Sequence, residues 1–406
     1  MSRLKVLVCG APLSTSGYAT HCRVVLDALK VVEDKIDLFL MTYRFASTSN
    51  TYEGKNLEWY QHLASKFDPN MVGHFDISIQ IGIPTEWRQF GKYNIGVTAG
   101  VETLSGPPEW IDGLNAVNKI LTVSSLPAKV LASIKTAEKA VKTKIEVVPF
   151  PVKDEQPKQI LQLPVESKFT FLSVNQFAPR KNIENMVNWF CQEFKDNEDV
   201  GLLLKIYSNS NSTPDYHECK LRLLDILKQH PDRKCKIYFI HGDMNEAEIG
   251  TLFLQDSIKA YLSTAHGESF GLSIFDAVCN GIPVVATDYG GYKDFLYQEK
   301  AEKSGKSKLK PFFQKVEYDI NPVQPNHYMP GIIQPGMLWA YPKEKDFKMK
   351  IREVYKDYGR FKKQASELQK LILEKYSKDE INKKYIDILF EDFNLEEAKE
   401  QIIEVE

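Results

Sequence analysis

The residues best equipped for chemistry fall in one stretch, Ser263–Gly291, which reads STAHGESFGLSIFDAVCNGIPVVATDYGG. An apolar run ends near Ser263, and a loop then carries His266, Gly267, Glu268, Ser269 and Phe270. A helical pattern opens at Gly271 or Leu272 and runs to Asn280, where Gly281 and Pro283 stop it. The first turn of a helix leaves N–H groups without internal partners, so such an N-terminus favours an anion, a diphosphate among them. Gly267 and Gly271 allow the backbone to approach that anion closely. Glu268 is an acceptor-only carboxylate suited to ligand hydroxyls. Asp276 follows about two turns later on the same helix and faces the same ligand further along.

Three other loops hold candidates. FLSVNQFAPRKNIENMV, Phe171–Val187, is a strand ending at Asn175, then a loop with Gln176, Arg180 and Lys181, then a helix capped near Asn182. Its cations suit phosphate, and the guanidinium of Arg180 does so especially. GAPLSTSGYATHCRVVLDALK, Gly10–Lys30, places Ser16, Gly17 and Tyr18 between a strand and a helix, without the G-x-G-x-x-G or Walker spacing of a dinucleotide or ATP loop. The segment Asn94–Ser125 presents Glu102, Pro108, Trp110 and Ser125. His21 and His241 read as core or loop histidines, His266 as a neighbour of the anion loop, and no His/Cys/Asp cluster has metal spacing.

The elements that must position these loops alternate. Leu4–Val8, Ile36–Met41, Ile77–Ile81, Asn94–Thr98, Ile120–Val123 and Ile145–Val148 are short apolar runs separated by helical patterns, the signature of a parallel sheet covered on both faces. A charged, proline-bearing stretch, Val152–Lys168, reads as a linker. The alternation then restarts with Thr170–Val174, Leu202–Ile206, Lys236–Ile240, Ala260–Ser263 and Pro283–Ala286. The expectation is an α/β chain of two doubly wound parallel-sheet lobes facing a cleft, with the candidate loops at the strand C-termini. The boundaries read as 1–155 for the first lobe and 165–377 for the second, with a helix at about 378–400 returning to the first. An irregular, Lys-rich then Pro/Gly-rich insertion is expected at about 300–336.

Ser263–Gly291 resembles the donor-binding signature of family-4 retaining glycosyltransferases, in which two acidic residues separated by seven others precede a G-x-P-V-V-A strand. Here those residues are Glu268 and Asp276, with Asp in place of the usual Glu. Phe171–Val187 resembles the G-R-x-x-x-x-K segment, with Lys181 on the Lys position and Gln176 on the Arg position. The resemblance implies the GT-B fold, two Rossmann-like lobes, with an acceptor-side N-terminal lobe and a donor-binding C-terminal lobe. It implies Glu268, Lys181 and Arg180 as catalytic residues. For the donor it implies Gly17, Gln176, His266, Gly267, Ser269, Phe270, Gly271, Leu272 and Asp276, and on the acceptor side Glu102 and Tyr18. It further implies no bound metal and no cofactor, the nucleoside diphosphate sugar being a co-substrate.

Composition sets the remaining bounds. With 406 residues and a net charge of −2, the chain has room for two domains and no global field that selects nucleic acid. The six cysteines show no C-x-x-C pair and read as buried free thiols, which suits a cytoplasmic setting. No apolar stretch approaches the roughly 18 residues that span a bilayer. The hydroxyl acceptor is of unknown class, a glycan, lipid, protein or small molecule or, as a minority reading, a phage-type hydroxylated DNA base whose phosphates the basic run Lys300, Lys303, Lys306, Lys308 and Lys310 could track, the run otherwise reading as a solvated loop. A non-catalytic nucleotide-sugar-binding subunit, a GT-B epimerase and a phosphorylase are the competing readings.

Overall fold

The computed structural model describes residues 3–14, 16–43, 52–153, 161–301 and 307–395. The N-terminal lobe is one parallel sheet in the order β2-β1-β3-β4-β5-β6. Its strands are β1 (Leu4–Gly10), β2 (Ile36–Thr42), β3 (Phe75–Ile81), β4 (Gly91–Val97), β5 (Lys119–Thr122) and β6 (Lys144–Val147). Val6, Leu7 and Val8 are all buried although successive side chains point to opposite faces, so both faces are covered. The covering helices are α1 (Gly17–Lys30), α2 (Leu57–Ser65), α3 (Trp110–Asn115) and α4 (Ser125–Ser133). Ser16 starts α1 by accepting the Ala19 N–H on its hydroxyl at 3.1 Å.

The second lobe repeats the plan with β7 (Phe169–Gln176), β8 (Val200–Tyr207), β9 (Lys236–Ile240), β10 (Ile258–Ser263) and β11 (Val284–Thr287). Its crossovers are α5 (Ile183–Glu193), α6 (Thr213–Leu227), α7 (Glu246–Phe253), α8 (Leu272–Cys279) and the short α9 (Lys293–Leu296). Both sheets are thus parallel, and the strand C-termini of each carry the candidate loops.

The stretch expected to be an irregular insertion is built differently. It contains β12 (Tyr297–Ala301), β13 (Ser307–Pro311), β14 (Gln314–Val316) and β15 (Tyr318–Pro322), with β16 (Leu338–Pro342) after it. β14 is the sixth strand of the second sheet, parallel to β11, in the order β14-β11-β10-β7-β8-β9. β12 with β13, and β15 with β16, form antiparallel hairpins. Among the described residues, the long link between β15 and β16 is the irregular part. The lysine run is no single tract: Lys300 pairs with Glu367 at 2.8 Å, and Lys308 stands opposite Lys300 across the hairpin. Lys303 and Lys306 lie outside the described residues.

Among the described residues three helices follow, α10 (Glu344–Lys356), α11 (Tyr358–Lys375) and α12 (Lys378–Leu389). α11 packs on α8, and the carbonyls of Cys279 at its end and of Gly281 just beyond it accept from Gln369 and Lys362. Glu367, the partner of Lys300, belongs to that same segment, so the β12–β13 hairpin stands beside the end of α8 remote from Gly271. α12 crosses back to the first lobe, where Tyr385 meets the His21 ring on α1 at 3.1 Å. One apolar core runs through both lobes, joined by Phe150 against Phe270 at 5.0 Å.

Lys119, on β5, is a buried cation held by the last turn of α12 and the residues just after it. Its ammonium donates to the Ile388 carbonyl at 2.7 Å and lies 2.9 Å from Glu391. Removing it orphans a carbonyl, which costs about 1–3 kcal/mol where water cannot reach it. Lys119→Met is expected to lower the denaturant midpoint and to speed hydrogen exchange across α12; an unchanged midpoint contradicts the assignment. His21 adds a pH dependence, because burial pushes its imidazole from the ordinary 6.5 down to about 3. The folded state keeps this ring neutral while the unfolded chain takes up a proton. Its share of stability is therefore complete above pH 6.5 and is lost as pH falls from about 6.5 to about 3. His21→Phe is expected to give a shallower acid limb in a stability–pH series.

Candidate active site

The loop from Thr264 to Phe270 connects β10 to α8, and the turn Pro179–Lys181 follows β7. They are stitched together: the His266 N–H donates to the Arg180 carbonyl at 2.8 Å, and the Thr264 hydroxyl to the Asn182 carbonyl at 3.0 Å. Asn182 adopts the left-handed conformation and heads α5, but its side chain makes no capping bond. The stitching aims both cations at one carboxylate. Lys181 Nζ donates to Glu268 Oε1, and Arg180 Nη1 lies 3.3 Å from Glu268 Oε2 while also donating to the Gly267 carbonyl at 2.6 Å. Arg180 Nη2 reaches across the cleft to Glu102 at 3.2 Å.

Charge is expensive here, since the side chains of Lys181 and Glu268 are only 15% and 10% exposed. Burial opposes ionisation of Glu268, yet Lys181 and Arg180 outweigh it and hold its carboxyl below the usual range. Burial lowers the Lys181 ammonium, and the Glu268 charge restores only part of that. Burial also opposes the Arg180 charge, but Glu102 and then Glu268 keep its pKa raised. These groups form a preorganised cationic patch whose counter-charges are, in this state, the protein's own carboxylates.

Gly271 heads α8 at φ 88°, a left-handed conformation that glycine adopts without penalty, and Leu272 is the first helical residue. Gly267 meets the other lobe: a Cβ there would lie 2.2 Å from the Glu102 carbonyl oxygen. Asp276, further along α8, is paired with Lys153 at 3.0 Å. Ser269 has a buried hydroxyl without a hydrogen-bond partner, and its carbonyl accepts from the Ser124 hydroxyl of the first lobe. Ser125 donates its N–H to Asp294 on α9 at 2.6 Å, a second bond across the seam.

The remaining candidates are dispersed. Gln176 donates its amide to the Ser208 carbonyl at 2.8 Å rather than standing free in place of an arginine. Phe270 is a core residue, packed on Phe150, Phe275 and Phe295, so only its main chain is available to a ligand. His266 is pinned to the second hairpin, with Nδ1 2.9 Å from the Ala340 carbonyl and its ring stacked on Trp339; burial pushes its pKa down to about 4. Gly17 is exposed, with no neighbour where a Cβ would stand. Tyr18 meets the Thr98 hydroxyl at 3.0 Å, on the same sheet edge as the Glu102 loop, and burial raises its phenol to about 12.

Sequence reasoning missed Lys153, which follows the PFPV run without any pattern of its own. It also missed a meeting of Asp215, Cys219 and His241, whose potential ligand atoms lie within 4.8 Å of one another. The Asp215 carboxylate there accepts the Ser208, Asn209 and Ser210 N–H groups and the His241 ring, which anchors the loop after β8.

Residues 154–305 match the model of glycosyl transferases group 1. The matched segment, under half of the chain, holds Glu268, Lys181 and Arg180. The chain is similar to rice sucrose synthase 6 (Oryza sativa subsp. japonica), 25% identical over 41% of this chain and 21% of that protein. It is likewise similar to a potato (Solanum tuberosum) sucrose synthase, 24% identical over 36% of this chain and 19% of that one. The matched stretch therefore spans about a fifth of those relatives. Among solved structures, Anabaena HepE in complex with UDP and glucose aligns over 95% of this chain and 99% of its own, with TM-score 0.61 and 12% identity. The sucrose-phosphate synthase of Thermosynechococcus elongatus aligns over 95% and 98%, with TM-score 0.61 and 13% identity. The fold is GT-B, two parallel α/β lobes about a cleft. No helix among the described residues is long and apolar enough to cross a membrane.

The Gly267 contact yields a test of the seam. A methyl group at 2.2 Å from the Glu102 oxygen cannot be accommodated, so Gly267→Ala is expected to push the lobes apart while each stays folded. Small-angle scattering should report a larger radius of gyration with little change in circular dichroism. An unchanged radius contradicts the contact.

Proposed function

We propose that the chain transfers a sugar from a nucleoside diphosphate sugar, a UDP-sugar in the first instance, to a hydroxyl acceptor with retention at the anomeric carbon. The observation that carries this reading is the convergence of Lys181 and Arg180 on Glu268 beside the N-terminus of α8. In this reading the donor diphosphate replaces the carboxylates as partner of the two cations and accepts from the free N–H groups at Gly271 and Leu272. Glu268 turns to the sugar hydroxyls and Asp276 to the ribose. The UDP held by HepE in its complex supports starting with uridine donors.

The bond from the anomeric carbon to the diphosphate oxygen breaks as the acceptor oxygen bonds to that carbon from the same face. The departing phosphate oxygen takes the acceptor's proton, so no separate base is needed. Arg180 and Lys181 stabilise the charge that develops on the leaving group. Glu102 and Tyr18 line the acceptor side, and the closed seam keeps water from the donor. The side chains needed for turnover, together with Gly17 left open for a phosphate, favour an enzyme over a binding subunit.

A thermal-shift panel of UDP-, GDP- and ADP-sugars identifies the donor, because a ligand of the native state raises its stability. With that donor, Glu268→Ala and Lys181→Ala are each expected to lower kcat/KM by about 100-fold or more. Wild-type rates in both variants would remove the site assignment. Donor binding with no release of nucleoside diphosphate, to acceptor or to water, would favour the non-catalytic reading.

A further inference from the structure

The segment Val323–Trp339, which links β15 to the start of β16, touches both lobes. On the first lobe, the Leu104 N–H donates to the Leu338 carbonyl at 3.1 Å, and the Trp110 indole to the Gly331 carbonyl at 2.9 Å. The Gln334 amide donates to the Glu109 carboxylate at 2.7 Å, and Ile332 packs against the cluster that holds Trp110. A small core of Val323, Ile333, Met337 and Trp339 stiffens the segment from within. Its far end is joined to the donor loop, where Ala340 donates to the His266 carbonyl at 3.2 Å and accepts from the His266 ring.

These contacts close a circuit. Glu102 lies just before Leu104 in the chain, and Leu338 just before Ala340. From Ala340 the path continues through His266 to the Arg180 carbonyl at 2.8 Å, and from the Arg180 guanidinium back to Glu102 at 3.2 Å. The Glu102–Arg180 pair is about a fifth exposed on each side, and ion pairs with that access to water hold two bodies weakly. The segment adds three directional bonds and an apolar contact to the Leu104–Trp110 stretch of the first lobe, and Ala340 carries the connection on to the His266 loop.

We propose that Val323–Trp339 is a clasp that positions the acceptor-side loop: it holds Glu102 over the donor loop, and Ile332 and Gln334 are the positioning residues through which it acts. The inference rests on the glycosyl-transfer reading above for its effect on turnover. Apart from Gly17, the groups assigned to the nucleotide stand on the second lobe, so a loosened clasp leaves nucleotide binding largely intact while the acceptor side drifts.

The test compares the double variant Ile332→Ser/Gln334→Ala with Ile332→Leu, which keeps the apolar contact. Three quantities are measured: the radius of gyration by small-angle scattering, the affinity for UDP by calorimetry, and UDP release from the UDP-sugar that the wild type consumes. The double variant is expected to have a larger radius, an unchanged UDP affinity and a kcat lowered about 10-fold or more, with Ile332→Leu matching the wild type. An unchanged kcat in the double variant, with or without wider lobes, overturns the proposal. So does a loss of UDP affinity as large as the loss of kcat, because the segment would then be supporting the donor lobe's own fold. If the wild type releases UDP from no sugar nucleotide, the functional reading fails, and the scattering result alone decides whether the clasp holds the lobes.

Discussion

The structure is organised around the burial of a carboxylate between two cations. Glu268, Lys181 and Arg180 are largely withdrawn from water, where an unpaired charge is costly, so they must find one another. That requirement brings together two loops that leave different strands, after β7 and after β10. It also draws in Glu102 from the opposite lobe, whose approach is tolerated only because residue 267 has no side chain. The cleft is therefore shut in this state by charges that a diphosphate would otherwise satisfy. On the proposed function, an anionic ligand would exchange one set of partners for another without reorganising the cations, as a preorganised site requires.

The two lobes are bound by more than this cluster. Phe150 and Phe270 merge their cores, the Ser124–Ser125 turn bonds to Ser269 and Asp294, and Arg23 on α1 reaches Glu246 on α7 at 3.2 Å. Lys153, in the connection between the lobes, is tied to Asp276. The donor helix thus answers to the linker at one residue and to the cationic turn through the loop that precedes it. On the proposed function, occupation of the site would be felt directly by the elements that set lobe spacing.

Most of the architecture was legible because buried parallel strands write themselves as short apolar runs, and the eleven strands expected from such runs each have a counterpart among β1–β11. β14 was not legible. Gln314–Val316 is three residues long with a lysine in its middle, and it becomes a strand only because the open edge of β11 accepts it. The Pro/Gly-rich stretch gave no periodicity, since its order comes from contacts with the other lobe and not from local pattern. In the site, Glu268, Lys181, Arg180 and Glu102 meet as a group. Gln176, Phe270 and His266 turned out to be held by a loop carbonyl, the core and the second hairpin. Side-chain direction at those positions depends on neighbours remote in sequence, and no spacing rule encodes it.

The central claim is that the cations now gripping Glu268 form a diphosphate site. The most direct measurement is a crystal structure with UDP bound. The account predicts the diphosphate between Lys181, Arg180 and the main-chain N–H groups of Gly271 and Leu272, with the Lys181–Glu268 contact broken or lengthened and the ribose at Asp276. Density for UDP elsewhere on the molecule, with the Lys181–Glu268 pair undisturbed, would contradict it.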